Sequence, residues 1–195
     1  MKNIVFDLGG VLFQRDKRKS TAEFTAFFDF IRQEPMPAFW TEYDRGTQGY
    51  DAVVGELCRH NHCSEALARA YLQEAIDRQE ALQPTSALIR DLKAAGYHLY
   101  VLSNMSREFI DFLRQVPIYA LFEGEVVSCD VGTVKPEPRI YEILLERYAL
   151  DPAETLFIDD RAANLATARH FGIAGYLFDA KTPHTSCEEL RRELL

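Results

Sequence analysis

An α/β fold is expected for this chain: a Rossmann-like parallel sheet flanked by helices, with a small α-helical cap inserted into it. Three observations predict it. Short apolar runs recur and each stops abruptly at a polar residue, segments of helical periodicity lie between them, and one long stretch, about residues 15–83, has a helical texture throughout.

The apolar runs are Asn3–Phe6, ending at Asp7, His98–Leu102, ending at Ser103, and Thr155–Ile158, ending at Asp159. Gly124–Val127 and Ala174–Phe178 are similar. Such runs lack the alternation of a half-solvated strand and indicate strands buried on both faces of a parallel sheet. The helices have readable ends. Ser86 starts a segment through Ala95, with Gly96 placed to stop it. Pro138 opens Arg139–Tyr148, where Ile140, Leu144 and Leu145 recur at helical spacing, and Ala162–Phe171 ends at Gly172. The long stretch reads as several amphipathic helices and no strand. Ser20 with Glu23 forms a capping box, Gly46 and Gly49 break the chain, and Ser64 caps a helix running to about Gln79. The expected organisation is an α/β core from residues 1–14 and 84–195 and a cap from residues 15–83.

A length of 195 residues can bury a sizeable core and fits one domain, or one domain carrying an insertion. Apolar residues at 47% and charged residues at 27% are ordinary for a globular protein. No apolar run approaches the roughly 20 residues of a membrane span. A net charge of −8 lacks the basic footprint of a nucleic-acid binder. It leaves room for a small anionic substrate, since a metal ion and a few cations reverse the field inside a cleft. Met1 and Lys2 lead straight into a run the sheet needs, with no signal-peptide pattern, and the four scattered cysteines read as reduced thiols. The expected compartment is the cytoplasm.

In an open parallel sheet ligands bind beyond the carboxyl ends of the strands, where Asp7, Ser103 and Asp159 all fall. Asp7 precedes Gly9-Gly10, which let a ligand approach closely, and a carboxylate there is a competent nucleophile for phosphorus once its charge repulsion is offset. Asp159-Asp160 offers oxygen ligands suited to Mg²⁺, Lys135 a compact cation for nucleophile and phosphoryl group, and Ser103-Asn104 a hydroxyl and backbone N–H donors. Each element alone is a weak signal, because strand-terminal acids are often caps or solvated loops. The four together, in this order, are a strong one.

In these motifs the sequence resembles the haloacid dehalogenase superfamily of phosphatases. Asp7-Leu8-Gly9-Gly10-Val11 resembles its first motif, Leu102-Ser103-Asn104 its second, Lys135-Pro136 its third, and Asp159-Asp160 followed by Asn164 its fourth. The double aspartate and the Lys-Pro pair resemble the branch holding bacterial sugar-phosphate phosphatases and the phosphatase domain of epoxide hydrolases. The resemblance implies that Asp7 attacks phosphorus and that Mg²⁺ is held by the Asp7 carboxylate, the Gly9 carbonyl and Asp160. It also implies that Ser103, Asn104 and Lys135 receive the phosphate, that Asp159 stands behind the metal near Lys135, and that Asn164 supports the loop. The expected substrate is a small phosphorylated metabolite, for instance a sugar phosphate such as glucose 1-phosphate.

One departure matters. Most phosphatases of that superfamily carry a second aspartate two residues after the nucleophile, which protonates the leaving oxygen, and here that position is Gly9. Losing a positioned acid typically costs about 10²–10⁴-fold for a poor leaving group. The departure favours anomeric, acyl or anhydride leaving groups and argues against a phosphomutase. Two other readings stand beside the phosphatase: a metal-independent 2-haloacid dehalogenase, which leaves Asp160 without a role, and a catalytically weak regulatory protein that binds phosphate ligands.

The remaining features have plainer readings. Cys58-Arg59-His60-Asn61-His62-Cys63 lacks the separated ligand pairs of a structural zinc site and reads as a helix terminus. Phe24, Phe27, Phe28, Phe30, Phe39 and Trp40 read mainly as cap core. Arg15, Lys17, Arg18 and Lys19 form a basic run whose default is solvated surface, near enough to the cap entrance to meet an anion. Tyr43-Asp44-Arg45-Gly46 lies at the break in the cap; in the related family this turn faces the active site, which makes Arg45 a candidate substrate contact.

Overall fold

The computed structural model describes residues 1–16, 19–33 and 35–195, so Lys17 and Arg18 of the basic run lie outside the described residues. The core is a five-stranded parallel sheet of β1 (Asn3–Phe6), β4 (His98–Ser103), β5 (Gly124–Val127), β6 (Thr155–Asp159) and β7 (Ala174–Leu177), in the order β5-β4-β1-β6-β7. β1 is central, pairing Phe6 with Val101 on one side and Ile158 on the other. All four of its residues are buried, as its unbroken apolar run requires.

Alternation of side chains along the strands builds two cores. Ile4, Phe6, Leu99, Val101 and Ile158 pack with α5 (Gln83–Ala94), α6 (Arg107–Leu113) and α10 (Pro183–Leu194). Val5, Tyr100, Leu102, Val126 and Phe157 pack with α8 (Pro138–Tyr148) and α9 (Ala162–His170). No described helix is long and apolar enough to cross a membrane.

Between β1 and β4 the chain builds the cap from α1 (Ala22–Phe27), α2 (Ala38–Arg45), α3 (Tyr50–Asn61) and α4 (Glu65–Asp77). Its own core unites Phe24, Phe27, Phe28, Phe30 and Trp40 with Val53, Leu57, Leu72 and Ile76, as the aromatic spacing predicts. Phe109 of α6 joins this cluster and ties cap to sheet domain.

The structure corrects the sequence reading in three places. The stretch expected to hold no strand contains one: β3 (Gln79–Ala81) pairs antiparallel with β2 (Phe13–Arg15), placing Arg15 opposite Gln79. Gln-Glu-Ala has little strand propensity, and only the distant partner makes it a strand. Thr21, not Ser20, caps α1, its hydroxyl accepting from the Phe24 N–H at 3.1 Å, while the Ser20 hydroxyl turns to the Asp16 carbonyl. α5 starts at Gln83, with Pro84 in its first turn, so Ser86 lies inside it, buried.

Candidate active site

The parallel sheet brings the ends of β1, β4 and β6 side by side, and the residues that end them converge. Asp7 follows β1 directly, Ser103 closes β4 and Asp159 closes β6. Lys135 comes from the loop between α7 (Ser128–Val131) and α8, its side chain almost wholly buried. Its Nζ lies 3.0 Å from Asp7 Oδ1 and 2.7 Å from Asp159 Oδ2. Asp7 Oδ1 also accepts from the Ser103 hydroxyl and from the Leu8 N–H, each at 2.7 Å. One oxygen of Asp7 is thus fixed by three donors.

Asp159 is fully engaged. Asn164 Nδ2 reaches both its oxygens at 3.0 Å, the Arg161 N–H donates to Oδ1 at 2.7 Å, and Lys135 takes Oδ2. The Tyr141 hydroxyl donates to the Asn164 carbonyl, anchoring the first turn of α9 on α8. Asn104 spends its side chain on the lysine loop: Nδ2 donates to the Lys135 carbonyl at 2.9 Å and Oδ1 accepts from the Lys135 N–H at 2.7 Å. Its amide therefore orients Lys135 and is not turned toward a ligand.

Asp7, Asp159 and Asp160 bring carboxylate oxygens within 4.8 Å of one another, the one such cluster of possible metal ligands among the described residues. The Cys58–Cys63 segment forms none there. Burial first, then Lys135 against Asp159, acts on Asp7, and the net effect raises its carboxyl above the usual range. Lys135 is held above its ordinary value because Asp159 and Asp7 outweigh its burial. Asp160 is pushed up to about 7 by burial and by the charges of Asp7 and Asp159. Asp160 has no hydrogen bond among the described residues, and a cation at this point would offset the repulsion that raises it. The donor set, carboxylate oxygens without sulfur or imidazole, suits a hard divalent ion such as Mg²⁺.

The two glycines after the nucleophile differ. A Cβ on Gly9 meets nothing within 4 Å, and its backbone is not left-handed. Gly10 has φ +75°, and a Cβ there would lie 2.5 Å from Asp160 Oδ2.

Over this site the cap closes a cleft of about 910 Å³. Asp44, half-buried, lines it, and its carboxyl is raised to about 7 by burial and by Asp7, against Arg161 and Lys135. Arg45 faces elsewhere. Its guanidinium grips Glu137 through two bonds of 2.8 and 2.7 Å and reaches Glu42 at 3.2 Å, and it does not line the cleft. Sequence reasoning missed Glu137, which follows Lys135-Pro136, and Arg161, whose side chain crosses to the Ile31 carbonyl of the cap. No local pattern marks either; only their position beside a motif residue does.

A family model described as haloacid dehalogenase-like hydrolase matches residues 1–172. A sesquiterpene phosphatase of Aspergillus oryzae is 29% identical over 98% of this chain and 95% of its own. A D-ribitol-5-phosphate phosphatase of Bacteroides thetaiotaomicron is 27% identical over 88% of this chain and 89% of its own. Among solved structures, a HAD family enzyme from Bacteroides thetaiotaomicron, an Asp-to-Ala mutant in complex with magnesium and inorganic phosphate, superposes with a TM-score of 0.70 and 26% identity. That match covers 92% of this chain and 95% of the other.

Proposed function

Since the chain belongs to the haloacid dehalogenase-like hydrolases, we propose that the cleft is the active site of a Mg²⁺-dependent phosphatase working on a small phosphorylated metabolite through an aspartyl-phosphate on Asp7. The observation that carries this reading is the clamp on Asp7 Oδ1 by Ser103, Lys135 and the Leu8 N–H, which leaves Oδ2 as the oxygen free to attack. Attack forms the Oδ2–P bond while the P–O bond to the leaving group breaks and its electron pair departs on that oxygen. Water then attacks the phosphorus, the aspartyl P–O bond breaks back to the carboxylate, and the water's protons leave with inorganic phosphate or pass to solvent.

Asp7, Asp160 and the Gly9 carbonyl would hold Mg²⁺, which when bound supplies positive charge against the repulsion between carboxylate and phosphate. Lys135 adds the protein's own cation, and Asp159 with Asn164 keeps it aimed. Ser103 orients the nucleophile in the free enzyme, and its one hydroxyl hydrogen would turn to a phosphate oxygen once the ligand arrives. Arg45, bound to Glu137, acts on the substrate through the position of the lysine loop.

A metal-independent 2-haloacid dehalogenase would leave the clustered carboxylate of Asp160 repelled and without a partner. A phosphate-binding regulatory protein would have no use for a nucleophile held by three donors. Released phosphate measured with Mg²⁺ and with a chelator, beside released halide from a 2-haloacid, tests all three. Phosphate release that needs Mg²⁺ supports the phosphatase. Halide release in chelator supports the dehalogenase, and ligand binding without turnover supports the regulatory protein.

A further inference from the structure

The names of the relatives point in two directions, to a polyol phosphate and to a terpenoid. The walls of the cleft distinguish these chemistries. Away from Asp7 the cleft is lined by Phe24, Phe28, Ile31, Trp40, Met105 and Phe109, residues of the cap and of the adjoining end of α6. Three of the polar side chains that share this lining spend their polar atoms on the backbone, while Gln14, Asp29 and Thr41 line it as well. Ser20 donates to the Asp16 carbonyl at 3.5 Å, Thr25 to the Thr21 carbonyl at 3.0 Å, and Gln79 to the Ala75 carbonyl at 3.0 Å. The guanidinium of Arg15 lies over the faces of Phe24 and Phe28, at 5.3 and 5.0 Å from the ring centroids. A polyol needs fixed partners for several hydroxyls, and a buried hydroxyl without one is costly. A hydrocarbon needs none.

Resting on the phosphatase reading, we propose that the substrate is the phosphate of a hydrophobic alcohol, with an extended hydrocarbon group seated between the cap aromatics and the end of α6 and its phosphate on Asp7 and Lys135. The cleft volume, about 910 Å³, lies toward the upper end of the roughly 300–1,000 Å³ of small-molecule sites and exceeds what a phosphate group alone would fill. Burial of each added methylene is worth about 0.8 kcal/mol, or about fourfold in affinity, until the cleft is full.

The test is a homologous series of straight-chain primary-alkyl monophosphates, with an isoprenoid monophosphate and sugar and polyol monophosphates phosphorylated on a primary hydroxyl. The leaving groups are then closely matched, and chain length and polarity are the variables. With Mg²⁺ present, kcat/KM is expected to rise severalfold per methylene over several steps and to exceed that of the polyol phosphates by at least tenfold at eight carbons. A second readout is independent of turnover. Trp40 is the chain's single tryptophan and lines the cleft, so its emission reports on what enters. Long alkylphosphonates are expected to shift it at lower concentration than short ones, and sugar phosphates not at all. Half-buried Ile31 and Met36 also line the cleft; Ile31→Asn and Met36→Gln are expected to flatten the chain-length dependence in both readouts.

A flat chain-length series, or polyol phosphates that outrun the alkyl esters, would overturn the hydrophobic substrate while leaving the phosphatase intact. Absence of Mg²⁺-dependent phosphate release from every member and also from an aryl monophosphate, whose leaving group needs no acid at residue 9, would overturn the phosphatase reading itself, and the alkylphosphonate titration of Trp40 would still judge the cleft.

Discussion

Arg45 of the cap and Glu137 of the core form a two-pronged ion pair, with Nη1 and Nη2 at 2.8 and 2.7 Å from the two carboxylate oxygens. Glu137 also accepts from the Thr133 hydroxyl at 2.7 Å and the Val134 N–H at 3.3 Å, so the same carboxylate shapes the loop that carries Lys135. Arg45 holds the Glu137 carboxyl down to about 2. The position of the cap and the aim of the lysine are thereby joined in one contact. Arg45→Ala is expected to lower thermal stability only slightly, by about 0.5–1 kcal/mol, because the pair is partly solvated. A larger loss is expected in kcat, with Arg45→Lys restoring less than half because lysine cannot form the fork. Melting curves beside steady-state kinetics check it; an increase in KM alone would instead mark Arg45 as a direct substrate contact.

Asp7→Asn is expected to abolish turnover with the fold intact, since the amide oxygen is a far weaker nucleophile and Lys135 keeps its bond to Asp159. Circular dichroism and a phosphate-release assay together check this. Activity above background in a clean preparation would sink the covalent route.

Asp160→Ala is expected to weaken Mg²⁺ binding by at least tenfold and to lower activity at ordinary metal concentrations, with partial rescue by excess metal. The measurement is activity against Mg²⁺ concentration for parent and variant. Unchanged half-saturation would place the metal elsewhere.

The two glycines after Asp7 are expected to answer oppositely to substitution. Gly9→Asp has room for its side chain and should fold; it should raise kcat/KM for primary-alkyl phosphates, by as much as about 10²–10⁴-fold if the new carboxyl is well placed, and less for aryl phosphates. Gly10→Ala meets a left-handed backbone, worth about 1–2 kcal/mol, and drives its Cβ against Asp160. It should lose both stability and metal affinity. A leaving-group series checks the first, and melting with and without Mg²⁺ checks the second. A parent series insensitive to leaving-group pKa would show that a group other than residue 9 already donates the proton.

Part of the pH dependence of stability follows from Asp44, beside Asp160, whose carboxyl is also pushed up to about 7. Its carboxyl titrates near 7 in the folded chain against 3.8 as an ordinary side chain, owing to burial and to Asp7, against Arg161 and Lys135. The folded state therefore holds this proton more tightly than the unfolded state between about pH 4 and 7, and the stability it contributes is present at low pH and lost as pH rises through about 7. Asp44→Asn should lessen the fall in melting temperature between pH 5 and 8, leaving the share that belongs to Asp160. A parallel fall in the variant would assign the loss to other groups.

Much of this was legible because strand ends are where apolar runs stop. Asp7, Ser103 and Asp159 could be placed at one sheet edge from hydropathy alone, and Lys135 and Asp160 followed from their neighbourhood in sequence. What escaped depends on pairings distant in sequence. β3 exists only through β2, the Arg45 guanidinium finds Glu137 92 residues on, and Asn104 turns its amide back to the Lys135 backbone. Propensity and spacing carry no information about such partners. α5 starts three residues before the polar Ser86, because Pro84, with its fixed φ, suits the first turn.

The β2–β3 ribbon has an evolutionary consequence. The chain departs for the cap at Arg15 and returns at Gln79, residues that face each other across one strand pair. Whatever lies between them leaves and rejoins the core at one place, so its length places no strain on the sheet that holds Asp7, provided the Arg45–Glu137 tie to the lysine loop is kept. The insert is an exchangeable cassette: a lineage can replace its aromatic lining to recognise another molecule while inheriting the phosphate chemistry unaltered.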